Sequence, residues 1–164
     1  MKTYKGRYSP KKPEKYRGDP TGVIYRSSWE KNLMLWCDRT EDVVEWSSEE
    51  IVVPYIYAVD GRAHRYYVDF FIKYKSGQVI IVEVKPAAQT EPPKGKDRRT
   101  KRYLNEATTY VKNVNKWEAA KSYAEVRGWK FEIWTEETLK QMGILPKTPK
   151  PLKKLPPYRK GKKK

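Results

Sequence analysis

Residues 65–85 read RYYVDFFIKYKSGQVIIVEVK, and this stretch decides the fold. Two runs rich in β-branched and aromatic residues, 65–74 and 79–85, flank a polar segment containing Gly77. They are expected to form adjoining strands joined by a tight turn. Successive side chains of a strand point to opposite faces, so Val79, Ile81, Glu83 and Lys85 share one face and Ile80, Val82 and Val84 the other. Both faces are apolar up to Glu83, as in a central strand covered on both sides. A carboxylate there is costly unless a cation or hydrogen-bond donors meet it. Asp69, set in Tyr67-Val68-Asp69-Phe70-Phe71, poses the same problem on the neighbouring strand. Turn length decides whether the two acids meet. If Tyr74 pairs with Gln78 around a three-residue turn, Asp69 falls opposite Glu83 and both carboxylates share a face. A two-residue turn sets Asp69 against Val84 and turns the acids apart.

Working outward, Ser27 or Ser28 is placed to cap a helix running to about Arg39, and residues 43–57 read as a strand. Beyond the quoted stretch a polar loop spans 86–98, and helical character runs over 100–127, with a potential break near 113–115. Gly128 is placed to stop that helix. Residues 129–134 form a further strand, and Thr135 caps a short last helix. The order helix, three strands, helix, strand, helix predicts an α/β fold: a mixed sheet, made of an antiparallel three-strand meander plus a fourth strand, flanked by helices. Residues 1–22 read as a basic N-terminal arm, 23–145 as the folded domain and 146–164 as a basic tail rich in Pro and Lys. The arm's Tyr4, Tyr8 and Tyr16 suit stacking beside phosphates or docking on the core.

The net charge of +16 is concentrated at the ends. Residues 1–18 carry seven Lys/Arg against Glu14 alone, residues 140–164 carry ten and no acid, and 19–139 are balanced. A one-signed excess of this size points to nucleic acid, bound through its phosphates. The N-terminus has no apolar run resembling a signal peptide, and no stretch is long and apolar enough for a membrane span. Cys37, the only cysteine, follows Leu33, Met34 and Trp36 on the first helix and reads as an inert core thiol. One Cys and one His, His64, leave no set for a conventional zinc site or for a Ser-His-Asp or Cys-His triad. No Walker loop or G-x-G-x-x-G is present.

Two readings of the buried acids stay open on spacing alone. Lys85 could neutralise Glu83 or Asp69 in an ion pair, or the acids could hold a divalent ion. Glu30 adds weight to the second, because it falls between Cys37 and Met34 on the helical wheel and points inward. It also has the S-x-x-E spacing of a capping box with Ser27. Glu49 and Glu50 could be further ligands but read better as solvated loop acids. A carboxylate-rich site suits Mg²⁺ or Mn²⁺. The loop after the Glu83 strand holds Lys94, Lys96, Arg98, Arg99, Lys101 and Arg102, which are expected to grip a DNA backbone, the alternative being a merely solvated loop. Lys116, on the later helix, either approaches the acids or stays a surface lysine. Such contacts position phosphates and carry little sequence information.

Asp69 followed by Glu83-Val84-Lys85 resembles the catalytic signature of the PD-(D/E)XK nuclease superfamily, with Val68 where the motif often has proline. A longer pattern is similar to the head completion nucleases of T-even-type phages, relatives of the TnsA-type transposon endonucleases. It comprises residues 24–30, IYRSSWE; 50–55, EIVVPY; 64–70, HRYYVDF; and 83–86, EVKP. The likeness extends over most of residues 4–146, including Tyr4-Lys5-Gly6-Arg7-Tyr8 and Pro13-Glu14-Lys15-Tyr16. It implies a restriction-endonuclease-like core and a Mg²⁺-dependent deoxyribonuclease processing packaged DNA during head completion, before the tail joins. Asp69, Glu83 and Glu30 would be metal ligands and Lys85 the catalytic lysine. Partners would be DNA and portal, neck or other head completion proteins, in the virion or in the host cytoplasm during assembly. The competing expectations are a portal-plugging, DNA-binding protein with this fold and no cleavage, or a cutting subunit that needs a partner.

Overall fold

The computed structural model describes residues 4–95 and 100–147 of the chain. Along it run β1 (Gly6–Arg7), β2 (Ile24–Tyr25), α1 (Ser28–Arg39), β3 (Val43–Ser48), β4 (Val52–Tyr57), β5 (Arg62–Tyr67), β6 (Phe70–Tyr74), β7 (Val79–Val84), α2 (Lys101–Val126), β8 (Lys130–Trp134) and α3 (Glu136–Gln141). Short 3-10 turns lie at Pro13–Lys15, Pro20–Gly22 and Ala87–Gln89. The main sheet has the order β3-β6-β7-β8, antiparallel except for the parallel pair β7–β8. It is the mixed α/β sheet expected.

The turn after β6 has the length that brings the acids together. Phe70 pairs with Val82 and Lys73 with Val79, and the Tyr74 N–H donates to the Gln78 carbonyl at 2.9 Å. Gly77, with φ +88°, closes the three-residue turn in a backbone region that side chains with a Cβ avoid. Continuing that register sets Asp69 opposite Glu83.

Alternation sorts the sheet into two apolar layers. Phe70, Ile72, Ile80 and Val82 face α1, α3 and the N-terminal segment, in a core with Leu33, Met34, Cys37 and Trp46. Phe71, Val79 and Ile81 face α2 and the β4–β5 hairpin, packing with Val53, Tyr66, Ala120 and Ala124. Cys37 is fully buried, as an inert core thiol should be.

Two expectations are corrected by the same local event. The single strands read over 43–57 and 65–74 each break, the first at 49–51 and the second at 68–69. The inner parts, β3 and β6, pair in the main sheet, while the outer parts, β4 and β5, pair as a separate two-stranded sheet. The Glu49 N–H donates to the Asp69 carbonyl and the Val68 N–H to the Ile51 carbonyl. Three residues therefore oppose two, a bulge, with Glu49 in the left-handed region at φ +56°. The bulge bends the long hairpin so that its outer half covers α2, and it places Asp69 at the bend.

The N-terminal segment is not a free arm over its described length. Tyr8 and Tyr16 are buried against Trp46, and the Tyr8 hydroxyl donates to Asp38. Lys15 Nζ donates to the Thr40 carbonyl at 2.9 Å, and to those of Cys37 and Asp38, closing the C-terminal end of α1. Docking on the core is what these tyrosines do, while Tyr4 stays exposed. Helix α2 runs unbroken through 113–115, because Asn113 is buried and the Asn115 carboxamide oxygen accepts the Ala58 N–H at 3.0 Å. Gly128, at φ +72°, ends it. Thr135 precedes α3, but its side chain makes no capping hydrogen bond.

Candidate active site

The site is assembled where the bulge meets the central strand. Glu83 ends the run of buried residues on β7 and is itself only 8% exposed. Its Oε2 accepts the hydroxyl of Tyr66, a buried residue of β5 brought over the sheet by the bend. Its Oε1 faces Lys85 Nζ at 3.7 Å. The Lys85 backbone N–H donates to the Trp134 carbonyl of β8 at 3.0 Å, tying the lysine to the parallel strand. Asp69 Oδ2 accepts the Val84 N–H at 2.8 Å. Burial pushes the Asp69 carboxyl well above the usual carboxylate range, and the charges of Glu83 and, less, Glu30 push it the same way. The Val84 N–H and Lys85 pull back and do not cancel the rise.

Glu30 makes half of its capping alternative, and its side chain reaches the residue before the cap. Ser27 Oγ accepts the Glu30 N–H at 3.1 Å, and Glu30 Oε2 accepts the Arg26 N–H at 2.8 Å. Burial still raises its carboxyl, and Glu83 adds to the rise. Glu30 thus lies within electrostatic reach of the pair but is turned to its own helix terminus. Among the described residues, no three His, Cys, Asp or Glu side chains stand together as a ready metal cage. Mg²⁺ does not require one, because it is commonly held by one or two carboxylates, waters and substrate phosphate. Asp69 and Glu83 fit that role: each uses one oxygen to fix its orientation, and Asp69 Oδ1 has no hydrogen bond among the described residues.

Lys116 is the other cation at the site. Its ammonium lies 5.4 Å from the centre of the Tyr66 ring, and the residue is half-buried. Burial lowers its pKa, Glu83 counteracts this, and Lys112 and Lys85 add to the lowering. Of the two sequence readings of Lys116, approach to the acids is the one the fold realises. The basic loop is not gathered in the same way. Lys94 pairs with Glu91 at 3.5 Å and Arg102 with Glu106 at 3.0 Å, both lysine and arginine almost fully exposed. Lys101 is exposed, and Lys96, Arg98 and Arg99 lie outside the described residues. His64 stands away from the acids, paired with Asp60 and stacked on Tyr55.

Sequence reasoning missed Tyr66, Arg26 and the role of Glu49. Glu49 is part-exposed and also has a structural part: its carboxylate pairs with Arg26, and its N–H donates to the Asp69 carbonyl. Glu50 receives the Tyr16 hydroxyl at 3.4 Å. The alternation of β5 marked Tyr66 as inward-facing, but which acid it would meet depended on the bend.

Residues 40–136 match the family described as TnsA-like endonuclease N terminal. That span holds Asp69, Glu83, Lys85 and Lys116, whereas Glu30 precedes it. The chain is also similar to the head completion nuclease of Enterobacteria phage T4, with 42% identity over 145 residues, covering 86% of this chain and 97% of that protein.

Proposed function

The chain belongs to the TnsA-like endonuclease family, and on that premise we propose that it is a metal-dependent DNA nuclease acting at Asp69, Glu83 and Lys85. The observation that carries the reading is the facing carboxylate pair. Two acids are held together although burial and mutual repulsion raise Asp69, and the nearby ammonium groups, Lys85 paired with Glu83 and Lys116 over the Tyr66 ring, leave that rise in place. An arrangement unfavourable by itself supports a site made for a cation. The ion pair of Lys85 with Glu83 engages one of the two acids, and the second acid, Asp69, supports the cation reading beside it.

Asp69 and Glu83 would hold Mg²⁺ or Mn²⁺. Bound there, such an ion polarises the scissile phosphate and lowers the pKa of an attacking water. Lys85 sits beside both acids and stabilises the negative charge that grows on the phosphate in the pentavalent transition state. Tyr66 keeps Glu83 in one orientation, and Lys116 supplies a second positive charge over the Tyr66 ring. Glu30 acts through the field it adds at Asp69, while it fixes the start of α1. Water is the nucleophile, so no covalent protein intermediate is involved.

The name of the phage T4 relative supports placing this activity in phage head completion. There it would process packaged DNA ends before tail joining, beside portal, neck or other head completion proteins. The charge of +16 supports phosphate contacts of low sequence specificity, with Lys94, Lys96, Arg98, Arg99, Lys101 and Arg102 among them. Incubation of the purified protein with linear DNA and Mg²⁺ tests the proposal. Wild type cleaves, while Asp69→Ala and Glu83→Ala bind DNA without cutting it. A wild type inactive with both Mg²⁺ and Mn²⁺ overturns the self-sufficient enzyme and leaves a DNA-holding plug or a cutting subunit that needs a partner.

A further inference from the structure

Between the segment that follows β7 and the first half of α2 lies a cavity of about 400 Å³. Its polar lining includes Gln89, Asn105, Thr109 and Asn113, and Tyr110 adds an aromatic wall. Asn113 is the unusual member. It is 93% buried, at 7% exposure, and its carboxamide has no hydrogen-bond partner among the described residues, yet is not sealed off from the cavity. A planar group entering the cavity can take the place of water on that amide. Two acids at the rim, Glu91 and Glu106, are matched by Lys94 and Arg102. Among the described residues the cavity therefore offers no unbalanced charge for a free anion or cation. It suits a neutral, planar group with donors and acceptors along its edge and a face to lay on tyrosine.

We propose that this cavity receives an unstacked nucleobase of the DNA strand being cut. Asn113 precedes Lys116 by three residues, so this end of the cavity and that lysine are about 4.5 Å apart along α2. A nucleotide whose phosphate reaches Lys85 and Lys116 thus has a recess for its base next door. Carboxamides pair with base edges in two-point contacts, and aromatic rings accept any base face. A base can enter only when it has left the helical stack, which costs least in single-stranded or frayed DNA. The cavity therefore assigns the enzyme a preference for unpaired nucleotides at the cut. The inference rests on the nuclease reading for its substrate, but its test does not.

The full chain, isotope-labelled and kept metal-free with chelator, is titrated with deoxyadenosine and with thymidine while the Asn113 side-chain amide signals are followed by NMR. Saturable shifts with the nucleosides, and none with 2-deoxyribose 5-phosphate, are expected. Asn113→Leu, similar in size, weakens nucleoside binding about tenfold, the equivalent of one net hydrogen bond. Tyr110→Leu, at the partly exposed wall, serves if Asn113→Leu does not fold. Absent shifts, or equal affinity in these variants, overturn the proposal. DNA cleavage without nucleoside binding overturns the cavity and leaves the nuclease standing; nucleoside binding without cleavage upholds the cavity and overturns the nuclease.

Discussion

Asp69→Asn is the substitution that separates a cation site from a structural ion pair. Asparagine keeps an oxygen to accept the Val84 N–H and removes only the charge. Side chains directly opposite in an antiparallel ladder have Cβ atoms about 5 Å apart. Two unit charges at that distance repel by about 3 kcal/mol at an effective dielectric of 20. Lys85, 3.7 Å from Glu83, offsets part of this, so relief of roughly 1–2 kcal/mol is a fair expectation for a half-screened site. In chelator at pH 8, Asp69→Asn should therefore be more stable than wild type, with Tm higher by about 2–8 °C for a chain of this size. The sign of the pH dependence follows from the direction of the shift. Asp69 has a raised pKa in the fold, so folding favours its protonated form. The penalty is absent below the ordinary carboxylate range and grows as pH rises through the folded value, so the advantage of the variant shrinks toward pH 5. Saturating Mg²⁺ should reverse the order at pH 8, because ligand at 100 times its Kd stabilises wild type by about 2.7 kcal/mol. Thermal denaturation at both pH values, with chelator and with Mg²⁺, measures all of this. If Asp69→Asn is less stable than wild type in chelator at pH 8, Asp69 is an ordinary structural carboxylate and the reasoning fails.

Tyr66→Phe removes the donor to buried Glu83 and should cost about 1.5–3 kcal/mol by urea denaturation in chelator; a loss near zero would mean that the hydroxyl does not orient the acid. At Glu49, φ +56° makes the backbone the deciding factor. Glu49→Val should be less stable than Glu49→Gly by about 1–2 kcal/mol, although both lose the pair with Arg26, and equal stabilities would contradict a strained bulge. Removal of residues 147–164, which hold nine Lys/Arg, should make the fall of DNA affinity with log salt less steep, as measured by fluorescence anisotropy; an unchanged slope would show that the tail does not contact phosphate.

What the chain determined by itself is local. Alternation over residues 79–85 placed Glu83 and Lys85 on one face, and the length of the segment around Gly77 set the odd turn that brings Asp69 opposite Glu83. A strand period of two and a glycine at positive φ are written in consecutive residues, so these features were legible. The order of helices and strands followed for the same reason. Only the tertiary structure decided where the long strands break. Nothing in the type of Glu49 announces a left-handed backbone, and the bulge arises because β4 and β5 must leave the main sheet to cover α2. That bend carries Tyr66 onto Glu83 and sets Lys116 against its ring, contacts between residues 17 apart or more that no local pattern encodes. It also decided the reading of the N-terminal tyrosines. A docked tyrosine and a free one have the same spacing in sequence. They differ only in what the rest of the fold packs against them.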